Sequence, residues 1–397
     1  MNESELKKYA SLIVRKGVNL QEKQGVIIYS NVEATPLVNL IEKECELLGA
    51  SKIIKLLSDE EVIKEQLNNL DTFIEPEMDI SGIKSFVRIR IRTEGLSYLN
   101  DVGQEKLIKY NAIGRKNHKY LNDRVDQWTI VAYPGKSWAK DVFPNLDEKD
   151  AVETLWKLIK KAVRLDGNPI DNWVRHDENL YQKCTFLNNL KIKTLHYKSS
   201  NGTDFSISLK PNVLFIGGSV NGYNGMAYEP NMPSEEIYTA PDPSSANGVV
   251  FATKPLYLYG KIYKDFGFRF KDGVAIEMLG NKEAKELFTY LFQNVPNSNR
   301  LGEVALVPFD SPISQINTLF YKNLFDENAS CHLALGDAIL DAIKDYNKLS
   351  SEEISAYGLN RSSVHIDFMI GTPDLEIVAE SYEGKTIKLF ENGNWIN

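Results

Sequence analysis

A glutamate in an apolar, strand-like run, Glu303 in LGEVALVP, sits on the face shared by Ala305 and Val307 if the run is extended. Burying an ionised carboxylate costs several kcal/mol unless a counter-charge or a metal answers it, so Glu303 needs a cation. Further along, His332 lies in the apolar run SCHLALG, and SSVHIDFMIG alternates so that His365 and Asp367 share one face. Upstream, NMPSEEIYTAP carries adjacent acids, and only one of two neighbours in an extended chain points inward; the inward one is read as Glu236. Each signal alone has an ordinary reading: solvated loop acids, a satisfied core histidine, a chance H-x-D.

Together, Glu236, Glu303, His332, His365 and Asp367 supply three carboxylates and two imidazoles, a donor set suited to Zn²⁺, Co²⁺, Mn²⁺ or Mg²⁺. With one carboxylate bridging, five side chains give three contacts to each of two ions. That leaves positions open for water and substrate, as in a catalytic pair rather than a closed structural site. Glu303 is a ligand, the base that takes a proton from the attacking water, or both.

The elements that must position these groups follow from periodicity. Residues 1 to about 135 alternate helix-like and strand-like segments: helices over 6–16, 35–48, 60–70 and 105–121, and strands over 26–30, 52–57, 86–91 and 127–133. That is the pattern of an α/β domain with a largely parallel sheet. Arg88, Arg90 and Arg92 fall on one face of the third strand. No GxGxxG or GxxxxGK[ST] follows any of these strands, which leaves a nucleotide site without support. Residues 134–145 read as a loop and 147–164 as an amphipathic helix, after which DGNPIDNWVRHDENL breaks the pattern and puts His176 in a polar linker.

We place the domain boundary near residue 180, giving an N-terminal scaffold domain over 1–180 and an α+β metal-binding domain over 181–397. The second half opens with a hairpin turning at Asn201-Gly202-Thr203, repeats the motif near Lys271-Asp272-Gly273, and continues through a helix over 284–292. The spacing of His332, Leu335, Ile339, Ile343 and Tyr346 predicts a helix over 328–346.

The chain has 397 residues with a net charge of -8, and no Lys/Arg-rich block. A nucleic-acid or membrane-surface role would want a basic footprint and is not expected. With no apolar run of membrane-spanning length and no signal-peptide core at the start, the expected location is the cytoplasm. Cys45, Cys184 and Cys331 are far apart without CxxC spacing, as suits reduced thiols.

The stretches NMPSEEIYTAP, LGEVALVPFDSPIS, LFDENASCHLALG and NRSSVHIDFMIG closely resemble the motifs of the two-metal aminopeptidases typified by aminopeptidases S and T. YASLIVRKGVNLQEKQGVIIYSNVEA and NGTDFSISL are similar as well, so the resemblance covers essentially the whole chain. It implies an exopeptidase that removes N-terminal amino acids from peptides, a catalytic C-terminal domain and a homodimer. It also implies metal ligands at Glu236, Glu303, His332, His365 and Asp367, with Glu236 preferred to Glu235. One departure stands out. The family pattern HxALGxAY puts a tyrosine seven residues after the histidine, where it is implied to stabilise the tetrahedral intermediate; this chain reads HLALGDAI, with Ile339 in that slot. On a helix Ile339 would share the face of His332 without a hydrogen-bond donor, leaving Tyr357, Tyr259 or a second metal to take over. The alternative expectation is a catalytically weak relative that keeps its metal and binds peptides or amino acids, or another dimetal peptidase or amidase.

Overall fold

The computed structural model describes residues 1–69, 83–96, 102–103, 105–110 and 125–396. The chain divides into two compact units, the first comprising Met1–His176, Ser219–Pro233 and Tyr259–Lys261, the second Asp177–Gly218, Ser234–Leu258 and Ile262–Asn397.

The first unit is built on four strands, β1 (Gly25–Asn31), β2 (Lys52–Ser58), β3 (Phe86–Arg92) and β4 (Val125–Ala132), in the order β2-β1-β3-β4. Every pair is parallel, as the alternating sequence pattern requires. Helices α1 (Glu3–Leu12), α2 (Thr35–Leu47) and α3 (Glu60–Asn68) follow the predicted stripes, and Leu37, Val38, Ile41 and Cys45 are the buried positions of α2. Of the helix expected over 105–121, residues 105–110 are helical and the remainder lies outside the described residues.

Two local expectations are corrected here. Residues 134–145 are not all loop: Pro134 and Gly135 punctuate the start of α4 (Lys136–Val142), which buries Trp138 and Ala139. After α5 (Glu148–Ala162), the segment read as a linker forms α6 (Pro169–Asn189), with proline in the first turn, where its missing N–H costs nothing. His176 therefore sits on a helix, edge-on to Trp173 with ring centroids 5.7 Å apart.

The second unit holds an antiparallel sheet of eight strands and a smaller one of four. The larger contains β5 (Ile192–Lys198), β6 (Asp204–Ser208), β8 (Asn247–Phe251), β9 (Phe266–Lys271), β10 (Val274–Gly280), β14 (Glu376–Ser381), β15 (Thr386–Glu391) and β16 (Asn394–Trp395), in the order β10-β9-β8-β6-β5-β14-β15-β16. Both predicted hairpins are present as β5–β6 and β9–β10, and the helix after them is α7 (Lys282–Asn294). The smaller sheet contains β7 (Ile237–Thr239), β11 (Leu301–Leu306), β12 (His332–Gly336) and β13 (His365–Met369), in the order β13-β12-β11-β7. One face of β13 meets the core of the unit: Phe368 lies 5.1 Å from Phe268 of β9, and Phe268 lies 5.0 Å from Phe288 of α7, measured between ring centroids. The opposite face carries the polar groups.

The helix predicted over 328–346 is not there. Residues 332–336 form β12, every residue of which is buried, and a strand buried on both faces shows no alternation to set it apart from a helix. Gly336 ends the strand at φ +101°, where an added Cβ would lie 2.1 Å from the Val364 carbonyl oxygen. A helix could not continue through it. Beyond it the apolar residues fold back as a cluster: Tyr346 and Tyr357 pack against Val213, Ala342, Ile343 and Leu359.

Candidate metal centre

The register of the four-stranded sheet places the predicted residues. Glu303 of β11 pairs with Ala334 of β12, and Ala334 pairs with Asp367 of β13. Two residues along each strand, Tyr238, Ala305, His332 and Met369 form the next row on the same face, and His365 stands beside Gly336. Residues directly opposite in a sheet share a face, so Glu303, His332, His365 and Asp367 all project from one side. Glu236, two residues before Tyr238, projects from that side too. Small side chains, Ala305 and Ala334, stand between the charged ones in these rows. The ladder shifts register between Leu301 and Glu303, a bulge at Gly302, where an added Cβ would come within 2.5 Å of the backbone oxygens of Gly336 and Asp337. Bulges re-aim a side chain, and this one sets the direction of Glu303.

All five predicted residues are thus brought together. His332 Nε2 lies 3.1 Å from Glu236 Oε2, while His365 Nε2 lies 3.0 Å from Glu303 Oε2 and 3.1 Å from Asp367 Oδ1. Among the described residues, two groups have donor atoms mutually within 4.8 Å, as a bound ion would need: Glu236, Glu303 and His332, and Glu303, His365 and Asp367. Glu303 belongs to both. The first group is the more enclosed, with the His332 side chain 1% exposed against 19% for His365.

Carbonyls fix both imidazoles. His332 Nδ1 donates to Ser330 O at 3.1 Å and His365 Nδ1 donates to Asp337 O at 2.8 Å, since a carbonyl can only accept. In the neutral rings Nε2 then presents a lone pair toward carboxylate oxygens that also present lone pairs. That contact is repulsive without a cation or an extra proton, and a backbone carbonyl behind a ligating histidine is the usual way a metal site sets the tautomer. Asp367 Oδ1 is buried and accepts no hydrogen bond of normal geometry. The donor set and these carboxylate oxygens therefore fit divalent ions.

The electrostatics show the same tension. Burial raises the Glu303 carboxyl above the usual range, partly offset by a hydrogen bond from His365 when that ring carries its second proton. Burial opposes the charged form of His332, but its hydrogen bond to Glu236 and the surrounding acids win and lift it to about 10. His365 is also disfavoured by burial and is pushed well above its ordinary value by Asp367 and Glu303.

A sixth group was not foreseen from the sequence. Glu327 lies in a short 3₁₀ turn, Glu327–Ala329, and its carboxyl is raised well above the ordinary range by burial and by the negative charges of Asp367 and Glu236. Nothing in LFDENAS distinguishes it from a solvated acid, because the polar run gives no periodicity from which burial could be read.

Comparison with known proteins places these features. The family model described as thermophilic metalloprotease (M29) matches residues 2–395. The chain is 37% identical to aminopeptidase AmpS of Bacillus subtilis (strain 168) over 98% of both sequences, and 32% identical to aminopeptidase T of Thermus aquaticus over 98% of both. It superposes on the structure of wild-type AmpT from Thermus thermophilus with a TM-score of 0.86 and 31% identity, covering 100% of each chain. The resemblance read from the sequence motifs is borne out: the chain belongs to the thermophilic metalloprotease (M29) family.

Proposed function

We propose that the protein is a metal-dependent aminopeptidase that removes N-terminal residues from peptides, with Glu236, Glu303 and His332 holding one divalent ion and Glu303, His365 and Asp367 a second. The observation that carries this reading is the membership of Glu303 in both groups of converging donors. Ions held there would supply Lewis acidity toward the scissile carbonyl and acidify water. The donor chemistry suits Zn²⁺, Co²⁺, Mn²⁺ or Mg²⁺.

With Glu303 engaged on both sides as a bridge, Glu327 is the free carboxylate for proton transfer. It stands outside both donor groups while feeling the charges of Asp367 and Glu236, as a carboxylate beside the ions would. The same reading places the enzyme in the cytoplasm as a homodimer, and family resemblance supports the dimer.

The test is direct. Chelator-stripped protein should lose hydrolysis of amino-acid p-nitroanilides and regain it with Co²⁺, Mn²⁺ or Zn²⁺, while N-acetylated substrates stay uncleaved. Absence of activity with every ion would reject the reading. Ile339 follows β12 in an irregular segment and does not share a helical face with His332, as the helix expected over 328–346 would have required. The missing phenol remains. An oxyanion donor is worth about 10²- to 10³-fold, so Ile339→Tyr should raise kcat by no more than that, measured at saturating substrate.

A further inference from the structure

The two ions of the proposed centre hang on different supports. His365 and Asp367 belong to β13, and the His365 ring is held by the Asp337 carbonyl just beyond β12. Glu236 and His332, the two donors that serve only the first ion, are both tied to the segment between β11 and β12. The Ser330 carbonyl fixes the His332 ring, and Ser330 Oγ accepts the Gly371 N–H at 2.8 Å. Asn328 is 0% exposed; its Oδ1 accepts the N–H of Glu235 at 2.6 Å, and its Nδ2 donates to Leu324 O at 3.1 Å. Asp326 anchors the start of the same segment by accepting the N–H groups of Phe320 and Lys322 at 2.8 and 3.0 Å. Glu236 itself lies just outside β7, so its backbone is not yet held by the ladder, and the Asn328 amide grips the chain one residue before it.

We infer that Asn328 is a positioning residue for Glu236, and that it governs the affinity of the first ion without touching that of the second. This rests on the proposed two-ion site. Fixing the peptide at 235 sets the direction in which the next side chain leaves the backbone, while the Leu324 carbonyl sets the orientation of the amide itself. Outer partners of metal ligands are commonly worth about 10- to 100-fold in affinity.

The probe is Co²⁺ alone, titrated into chelator-stripped protein and followed by calorimetry and visible absorption. In a His365→Ala background, which leaves the Glu236 half, adding Asn328→Ser should weaken binding by about 10- to 100-fold. In a His332→Ala background, which leaves the other half, it should change binding by less than about threefold. Equal weakening of both halves in chains that circular dichroism shows to be folded overturns the inference, as does no change in either. Should Asn328→Ser not fold, Asn328→Gln carries the same comparison, because it keeps both polar groups and displaces them by one methylene. Wild-type protein that takes up fewer than two Co²⁺ ions would count against the two-ion reading itself.

Discussion

Among the described residues, a face of β3 and a face of the sheet of β11, β12 and β13 both carry rows of charge. On β3, Arg88 and Arg90 project from one side of the parallel sheet, where their guanidiniums lie 6.0 Å from the Trp128 ring centroid and 5.2 Å from that of Tyr29. Both rings belong to neighbouring strands in direct register, Trp128 beside Arg88 and Tyr29 beside Arg90. Arg92 is answered by Glu94 at 3.0 Å. Each charge has its own local partner, spread along the sheet. On β11, β12 and β13 the charges converge instead: His365 Nε2 lies 3.0 Å from Glu303 and 3.1 Å from Asp367, and the donor atoms of His332 and Glu303 lie within 4.8 Å of each other. A charged residue in a strand is therefore ambiguous by itself; mixed donors aimed at one point from separate strands are what distinguish a site from a scaffold.

Removing the shared donor is the strongest way to break that contrast. Glu303→Ala should eliminate both ions in elemental analysis. Because metal polarisation is worth several kcal/mol, kcat/KM should fall by at least about 10³-fold. Retention of one tightly held ion would show that the two groups are independent rather than bridged. Glu327→Gln should separate chemistry from binding: both ions stay, KM changes little, and kcat falls by about 10²- to 10⁴-fold, the range expected for loss of a general base. If Glu327→Gln instead released an ion, Glu327 would be a ligand and the proton would need another acceptor.

Much of this was legible in the sequence, for identifiable reasons. Glu303 stood out because a lone acid in an apolar strand must be answered, and H-x-D on β13 because alternation was clean on both faces. The parallel sheet of the first unit followed from its alternating helices and strands. What failed was reading type from period where burial is continuous: β12, buried throughout, passed for a helix because His332, Leu335 and Ile339 happen to recur at helical spacing. The reading of His332 as a candidate ligand does not depend on that element, since it rests on the chemistry of the side chain, and the strand sets it beside Glu236. Asn328 and Glu327 were beyond reach, because what matters about them comes from the fold: Asn328 bonds to a residue 93 positions away, and Glu327 is brought under the charges of Asp367 and Glu236.

The smallest predicted effect lies on the other side of the comparison. Arg90→Met removes a guanidinium whose charged form is already disfavoured: burial, with the neighbouring charges of Arg92 and Arg88, brings it down to about 10. The substitution relieves that desolvation and loses the contact with Tyr29, a cation–π interaction worth about 0.5–2 kcal/mol. These terms oppose, and methionine fills much of the same space with a flexible apolar chain, so the change in unfolding free energy should stay within about 1 kcal/mol by urea denaturation. Metal content and kcat/KM should match wild type. A tenfold loss of activity, or loss of an ion, would mean that the arginine face takes part in the chemistry, and the separation between a scaffold sheet and a site sheet would no longer hold.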